Sequence, residues 1–309
     1  MNKTAILFSG QGAQRVGMGE DLYRTSDHAK EIFEMGEKQM PGLLDVLFHG
    51  DDATLTRTEY AQPALFLVDL AFAEELRARG IEGACVAGFS LGEIPALAYT
   101  EILSREEAFS LVLTRARKMA ELSERYPGAM AAVLKLEPTV VETLCACHPG
   151  VTPVNYNCPG QISCAGTPEA VDALCENVKM LGGRAVKLAV SGAFHTSFMS
   201  EAEPVLRDAL ADMRVRTPKI PLYADLTGEF YPVEPDRVRE TIAKQVDSPV
   251  RFETALRNMA ARGARTFIEV GAGSTLTGFV RRTFAEAKTF TVTDIPSLEE
   301  TVAATKGGH

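Results

Sequence analysis

The chain has 309 residues, 46% of them hydrophobic, and a formal charge of −9. That length and apolar content suit one large α/β unit, alone or with a small insert, around a sizeable core. The acidic balance and the lack of any dense Lys/Arg run argue against a nucleic-acid binder, and no segment reaches the roughly 18 apolar residues of a membrane span.

The apolar run behind Met1 is too short for a signal peptide, so a cytoplasmic chain is expected. Thr4 to Ser9 reads as a buried strand that stops at the turn Gly10-Gln11-Gly12. Ala64 to Arg79 has helical periodicity and ends at Gly80. Ala84 to Gly88 is a second short buried strand. Leu91 to Tyr99 and Glu106 to Glu124 read as helices, the latter stopped by Pro127-Gly128. The pattern then changes: strand Ala129 to Leu136, helix Pro138 to Cys147, strands Val151 to Asn155 and Gln161 to Ala165, helix Pro168 to Leu181, strand Ala185 to Val190. This β-α-β-β-α-β order is the ferredoxin-like motif. It is expected to form a small subdomain over 126–190, inserted into a larger domain made of 1–125 and 191–309.

Beyond the insert, helices are expected over Met199 to Met213, Pro235 to Val246, Phe252 to Arg262 and Thr275 to Arg282, with strands at Ile220 to Ala224 and Thr266 to Val270. Strands alternating with helices in both outer parts predict a mostly parallel sheet covered on both faces. The tail from Lys306 to His309 is expected to fray. The six cysteines lack metal-ligand spacing and mostly sit in apolar runs, so they read as core thiols of a reducing compartment. No metal is expected. Arg281-Arg282 is either a solvated face or part of a basic patch for an acidic partner.

The strongest local signal is Gly88-Phe89-Ser90-Leu91-Gly92, a G-x-S-x-G between a strand and a helix, which is the setting of a nucleophile elbow. A sharp turn there presents the Ser90 hydroxyl, and the Leu91 backbone N–H directly after it suits an oxyanion donor. Gly10-Gln11-Gly12 is not a dinucleotide fingerprint. As a turn beside the nucleophile, it can offer the Gln11 N–H as a second donor. A serine nucleophile needs a base. Of the five histidines (28, 49, 148, 195 and 309), His195 alone sits where an apolar strand breaks at Gly192 into a loop. The group that orients it is left open among Asp225, Asp247 and a backbone carbonyl.

With these residues in view, the chain resembles malonyl-CoA:acyl carrier protein transacylases and the acyltransferase domains of polyketide synthases. The resemblance runs from Phe8 to about Phe279 and rests on motifs in order. They include Phe8-Ser9-Gly10-Gln11-Gly12, Gln62-Pro63-Ala64, Gly88 to Glu93, Arg115 to Met119, Asn157 to Gln161, Gly192 to His195, and Ser248 to Phe252. It implies an α/β-hydrolase-like large domain with a mostly parallel sheet and a ferredoxin-like small one. It also implies Ser90 as nucleophile, His195 as base, and Gln11 and Leu91 as the oxyanion hole. Arg115 would grip the malonyl carboxylate, with Met119 on the same helix face. Gln245 would orient the histidine, often through its carbonyl, while Asn157 and Gln62 shape the site. Phe194 before the histidine accompanies malonyl choice and would crowd an α-methyl branch. Malonyl-CoA and acyl carrier protein are then the expected partners of a monomer that needs no cofactor. Two departures stand out: position 89 is usually His and here is Phe, and Pro95 follows the elbow closely. An acyl hydrolase on the same scaffold, with little use for Arg115, and a non-catalytic carrier-protein-binding module are the competing readings.

Overall fold

The computed structural model describes residues 3–190 and 192–306. Met1, Asn2, Ser191 and residues 307–309 lie outside the described residues, and so does the expectation of a frayed end at 307–309.

The strands are β1 (Lys3–Phe8), β2 (Cys85–Gly88), β3 (Ala129–Leu134), β4 (Val151–Cys158), β5 (Gln161–Gly166), β6 (Arg184–Lys187), β7 (Leu222–Tyr223), β8 (Ala264–Val270) and β9 (Lys288–Val292). Five of them form one sheet in the order β7-β2-β1-β8-β9, with every pairing parallel. β1 is central, and its Ala5, Ile6, Leu7 and Phe8 are all fully buried. Ile6 and Phe8 point into one hydrophobic cluster, Ala5 and Leu7 into another on the opposite face. This is the period-2 alternation of a strand covered on both sides. It explains why the sequence shows a continuous apolar run rather than alternation.

The chain leaves β1 to build β2 on one side and later β8 on the other. The carboxyl ends of β1, β2 and β8 therefore surround the point where strand order reverses, where open α/β sheets hold their ligands.

The other four strands form an antiparallel sheet in the order β4-β5-β3-β6, the expected ferredoxin-like arrangement. The helices Pro138–Cys147 and Pro168–Met180 cover one face, where Ala131, Val133, Val141, Ile162, Leu174 and Val178 make a separate core. The opposite face, with Met130, Ala132 and Ser163, looks into the cavity described below. Backbone bonds from Val250 N to Val154 O (2.8 Å) and from Tyr156 N to Val250 O (2.9 Å) tie β4 to the larger part of the chain.

Several elements differ from the sequence expectation. The helix expected from Ala64 begins at Thr58 and runs through Pro63 to Ala78. Its residues 61–76 are all buried, so tertiary packing outweighs the proline's lost N–H. The expected helix from Leu91 is split into a 3-10 turn, Ser90–Gly92, and a helix, Glu93–Tyr99. Pro95 falls in the first turn of that helix, where backbone N–H groups have little helical use, and the helix continues past it. The expected helix Met199 to Met213 is a 3-10 turn at Ser197–Met199 followed by a helix from Ala202 to Ala211. The helix from Pro235 stops at Lys244 and tightens into a 3-10 turn over Gln245–Asp247. Four helices between Glu20 and Thr56, together with β9 and the helix Ile295–Lys306, had no counterpart in the sequence reading. Five of the cysteines are buried, but Cys147 is exposed at its helix end. Arg282 bonds to Gln161 and Arg281 to Thr289. No helix among the described residues is long and apolar enough to cross a membrane.

Candidate active site

Ser90 follows β2 with φ 54°, a left-handed conformation that a non-glycine residue adopts only when its surroundings hold it there. The two glycines of the motif make room for the turn. A Cβ on Gly88 would lie 2.1 Å from the Gly92 carbonyl carbon, and one on Gly92 would lie 2.3 Å from the Phe8 carbonyl oxygen. The Ser90 N–H donates to Asp225 Oδ2 at 2.6 Å, which fixes the elbow from outside its own strand and helix. Leu91 is the second residue of the 3-10 turn Ser90–Gly92, and its side chain is fully buried. Gln11 lies on the loop at the carboxyl end of β1 and lines the same cavity as Ser90.

His195 is buried and also has a positive φ, 61°. Its Nε2 lies 2.7 Å from Ser90 Oγ, and its Nδ1 lies 3.0 Å from the Gln245 carbonyl oxygen. The orienting group is thus the backbone carbonyl. Asp247 is instead engaged by Lys244 and Ser248. Asp225 holds the Ser90 amide and the Gln245 side chain rather than the imidazole. The helix ends at Lys244 and residue 249 is proline, so this carbonyl serves no amide four residues on; it accepts the Ser248 N–H of the 3-10 turn at 3.4 Å as well as the imidazole. Burial first, and then the Arg115 charge, hold His195 well down, at about 4, so the imidazole is neutral near pH 7. With Nδ1 donating to the carbonyl, Nε2 is left as the acceptor for the serine proton.

Arg115 is buried in the middle of the helix Arg105–Arg125, whereas Arg117 two residues on is exposed. Its guanidinium donates to Gln62 Oε1 (2.8 Å), Gln245 Oε1 (3.2 Å) and Ser90 Oγ (3.3 Å). Its Nε has no partner among the described residues. Burial lowers its pKa to about 10 while the nearby Asp225 and Glu93 oppose the fall, so it keeps its charge at neutral pH. Gln62 also donates through Nε2 to Gln11 Oε1 (3.3 Å) and touches Met119 Sδ (3.4 Å). The amide side chains of Gln11, Gln62 and Gln245 therefore join the loop after β1 to the arginine, and the Gln245 backbone carbonyl brings in the histidine.

A cavity of about 260 Å³ opens onto these groups. It is lined by Gln11, Ser90, Arg115, Met119, Asn157, Phe194 and His195, so seven of the ten residues singled out in the sequence meet there. Gln62, Gln245 and Leu91 stand directly behind it. The small sheet adds Asn155, Gln161 and Ser163. Asn155 was missed, although it lies two positions before Asn157 on one strand, a spacing that puts both on the same face. Phe89 packs edge-on against Phe252 (5.2 Å between ring centres) and tilted against Phe279 (5.8 Å). It therefore serves as an apolar wall where the resembled family has a polar ring.

Residues 6–304 match the model of the acyl transferase domain. The chain belongs to the acyl transferase family. It is 35% identical to a malonyl CoA-acyl carrier protein transacylase of Bacillus subtilis, over 99% of this chain and 98% of that protein. It superposes on the crystal structure of a malonyl CoA-acyl carrier protein transacylase from Clostridium perfringens with a TM-score of 0.94 at 33% identity, covering 99% of this chain and 98% of that one. A malonyl-transacylase solved in complex with a type II PKS acyl-carrier protein gives a TM-score of 0.93 at 28% identity, covering 98% of this chain and 99% of that one. In this acyltransferase the strained serine, the neutral histidine and the buried guanidinium occupy one pocket at the carboxyl edge of the parallel sheet.

Proposed function

We propose that the chain transfers a malonyl group from malonyl-CoA to the phosphopantetheine thiol of acyl carrier protein, by way of an ester on Ser90. The observation that carries this reading is Arg115. It is a fully buried cation with an unpartnered Nε, 3.3 Å from the hydroxyl that would bear the acyl group. Malonyl differs from acetyl by a carboxylate, and a guanidinium can bind that carboxylate through two parallel hydrogen bonds.

In the first half, His195 Nε2 takes the Ser90 proton as Oγ attacks the thioester carbonyl. The carbonyl oxygen gains negative charge against the Gln11 and Leu91 amides. As the carbonyl re-forms, the C–S bond breaks and coenzyme A leaves as a thiol with the proton from His195. In the second half the carrier thiol gives its proton to His195 and attacks the ester, and Ser90 leaves with that proton. Every group in this scheme is a side chain or backbone amide of this chain, so it asks for no metal or cofactor. The same reading has the protein acting as a cytoplasmic monomer whose protein partner is acyl carrier protein. It also divides the chain into a catalytic part, 1–125 with 191–309, and a subdomain, 126–190, that closes over the acyl pocket.

The test is intact mass after mixing with malonyl-CoA alone. A malonyl-sized gain that disappears in Ser90→Ala, and is weak with acetyl-CoA, supports the reading. Free coenzyme A released with no lasting adduct would mean hydrolysis instead.

A further inference from the structure

Gln245 makes four bonds that matter to the chemistry. Its carbonyl oxygen accepts from His195 Nδ1 (3.0 Å), its Oε1 accepts from Arg115 (3.2 Å), and its Nε2 donates to the Ser90 carbonyl (2.7 Å) and to Asp225 Oδ2 (3.1 Å). A primary amide can be turned over, exchanging its oxygen and nitrogen, and the turned form would aim an NH2 at the Arg115 guanidinium. The Ser90 carbonyl and the Asp225 oxygen both favour the working orientation, because each receives the Gln245 NH2 and has nothing to donate there. The same oxygen receives the Ser90 N–H at 2.6 Å. Asp225 is itself buried and anchored, since its N–H donates to Glu93 Oε2 (2.6 Å) and Glu93 accepts from Tyr231.

We infer that Asp225 is a positioning residue of the transfer reaction. Together with the Ser90 carbonyl it holds the Gln245 amide in one orientation, and so aligns Arg115 on the acyl carboxylate; through the Ser90 N–H it sets the serine against His195. It touches neither substrate nor the reacting atoms. Burial and the Glu93 carboxyl raise the Asp225 pKa well above the usual range. Both positioning bonds use Oδ2, so a proton on the other oxygen leaves them intact. Acceptor geometry, rather than negative charge, is what the site requires.

This inference rests on the malonyl-transfer reading, and the experiment keeps the two apart. Loading of the full chain is followed by rapid-quench intact mass with malonyl-CoA and with acetyl-CoA, for wild type, Asp225→Leu and Asp225→Asn, with circular dichroism as a check on folding. Leu keeps the approximate shape without an acceptor. Loading by malonyl should slow by about 10- to 100-fold, the range expected for misaligned catalytic groups. The malonyl-to-acetyl ratio should fall as well, because Arg115 loses its alignment. Asn carries a carbonyl oxygen that can receive both donors, and should restore most of the rate and the ratio. A purely structural role would lower the melting temperature and leave the ratio per folded molecule unchanged. A folded Asp225→Leu protein with wild-type rate and ratio would overturn the inference. So would an Asp225→Asn protein as impaired as Leu, which does not depend on how well Leu folds. Wild type that takes up no malonyl would instead sink the transfer reading itself.

Discussion

Replacing Arg115 by Ala removes the one buried cation that lines the acyl pocket, and the structure sets both the direction and the scale of the result. The guanidinium is held by two amide oxygens, Gln62 at 2.8 Å and Gln245 at 3.2 Å, and by the serine hydroxyl, with no carboxylate in direct contact among the described residues. Neutral acceptors meet its terminal nitrogens but neither its Nε nor its charge, which leaves a strong demand for an anion. Truncating one member of a buried, hydrogen-bonded charge pair costs about 2–5 kcal/mol. At about 1.4 kcal/mol per tenfold, kcat/KM for malonyl-CoA should fall by roughly 30-fold to a few thousand-fold. Acetyl-CoA never offered that carboxylate, so its kcat/KM should not fall and the malonyl preference should collapse. Arg115→Lys should fall in between, because a point charge cannot reproduce the two-pronged contact. The assay is coenzyme A release with each donor at saturating acyl carrier protein, beside a folding control. A folded Arg115→Ala protein that still favours malonyl by the wild-type factor would refute the reasoning.

Other substitutions probe the elbow and the pocket wall. Gly92→Ala would set a Cβ 2.3 Å from the Phe8 carbonyl and 2.5 Å from that of Ser9. Loading of Ser90 should be lost and the melting temperature lowered; a variant that loads at the wild-type rate would show that the close approach is dispensable. Phe194 is buried on the cavity wall beside His195, so Phe194→Ser should make room for an α-methyl branch. Competition between malonyl-CoA and methylmalonyl-CoA should then shift toward the latter by roughly 10- to 200-fold, the worth of one methyl group. An unchanged ratio would mean that the ring does not bound the acyl chain.

The elbow was legible because its signal is local: two glycines flank a serine between a strand and a helix, and each glycine answers to a contact within the motif or with β1. The ferredoxin-like order was legible for a similar reason, since its helices both begin with Pro and separate short apolar runs. Arg115 was different. One helix carries Arg115 and Arg117, one buried and one exposed, and only the resemblance separated them in the sequence. The orienting group of His195 could not be read from spacing, because a backbone carbonyl leaves no residue-type signature. Asp225 was noticed for the wrong contact: it sits under the elbow and reaches the histidine only through Ser90 and Gln245. Three of the four helices between Glu20 and Thr56 have seven residues or fewer, too short to show a period; the fourth, Asp27–Gln39, carries Ala29, Ile32, Phe33 and Gly36 at helical spacing behind an N-capping Ser26 and was open to reading.

The serine hydroxyl is shared between His195 Nε2 at 2.7 Å and the Arg115 guanidinium at 3.3 Å, so substrate charge and base strength are coupled. Arg115 is the second cause, after burial, of the low His195 pKa. A bound malonyl carboxylate would neutralise the guanidinium, removing that cause and making the imidazole a stronger base when the acyl group arrives. Acetyl-CoA brings no such charge and leaves the base weak, so selectivity should appear in kcat as well as in KM. The sign of the pH effect follows. The base must be neutral, and in the free enzyme its pKa lies at about 4. Therefore kcat/KM, which reports the free enzyme, should be flat from pH 8 down to about 5 and fall only in stronger acid. In Arg115→Met one of the two depressing influences is gone. The acid limb should move up from about 4 but stay below the range of a free histidine, because burial, the larger cause, remains. Hydrolysis-corrected initial rates of loading from about pH 3.5 to 8, with both proteins checked for folding at each pH, decide the matter. If the limb stays where it is in the variant, the arginine does not govern the histidine, and burial alone sets the strength of the base.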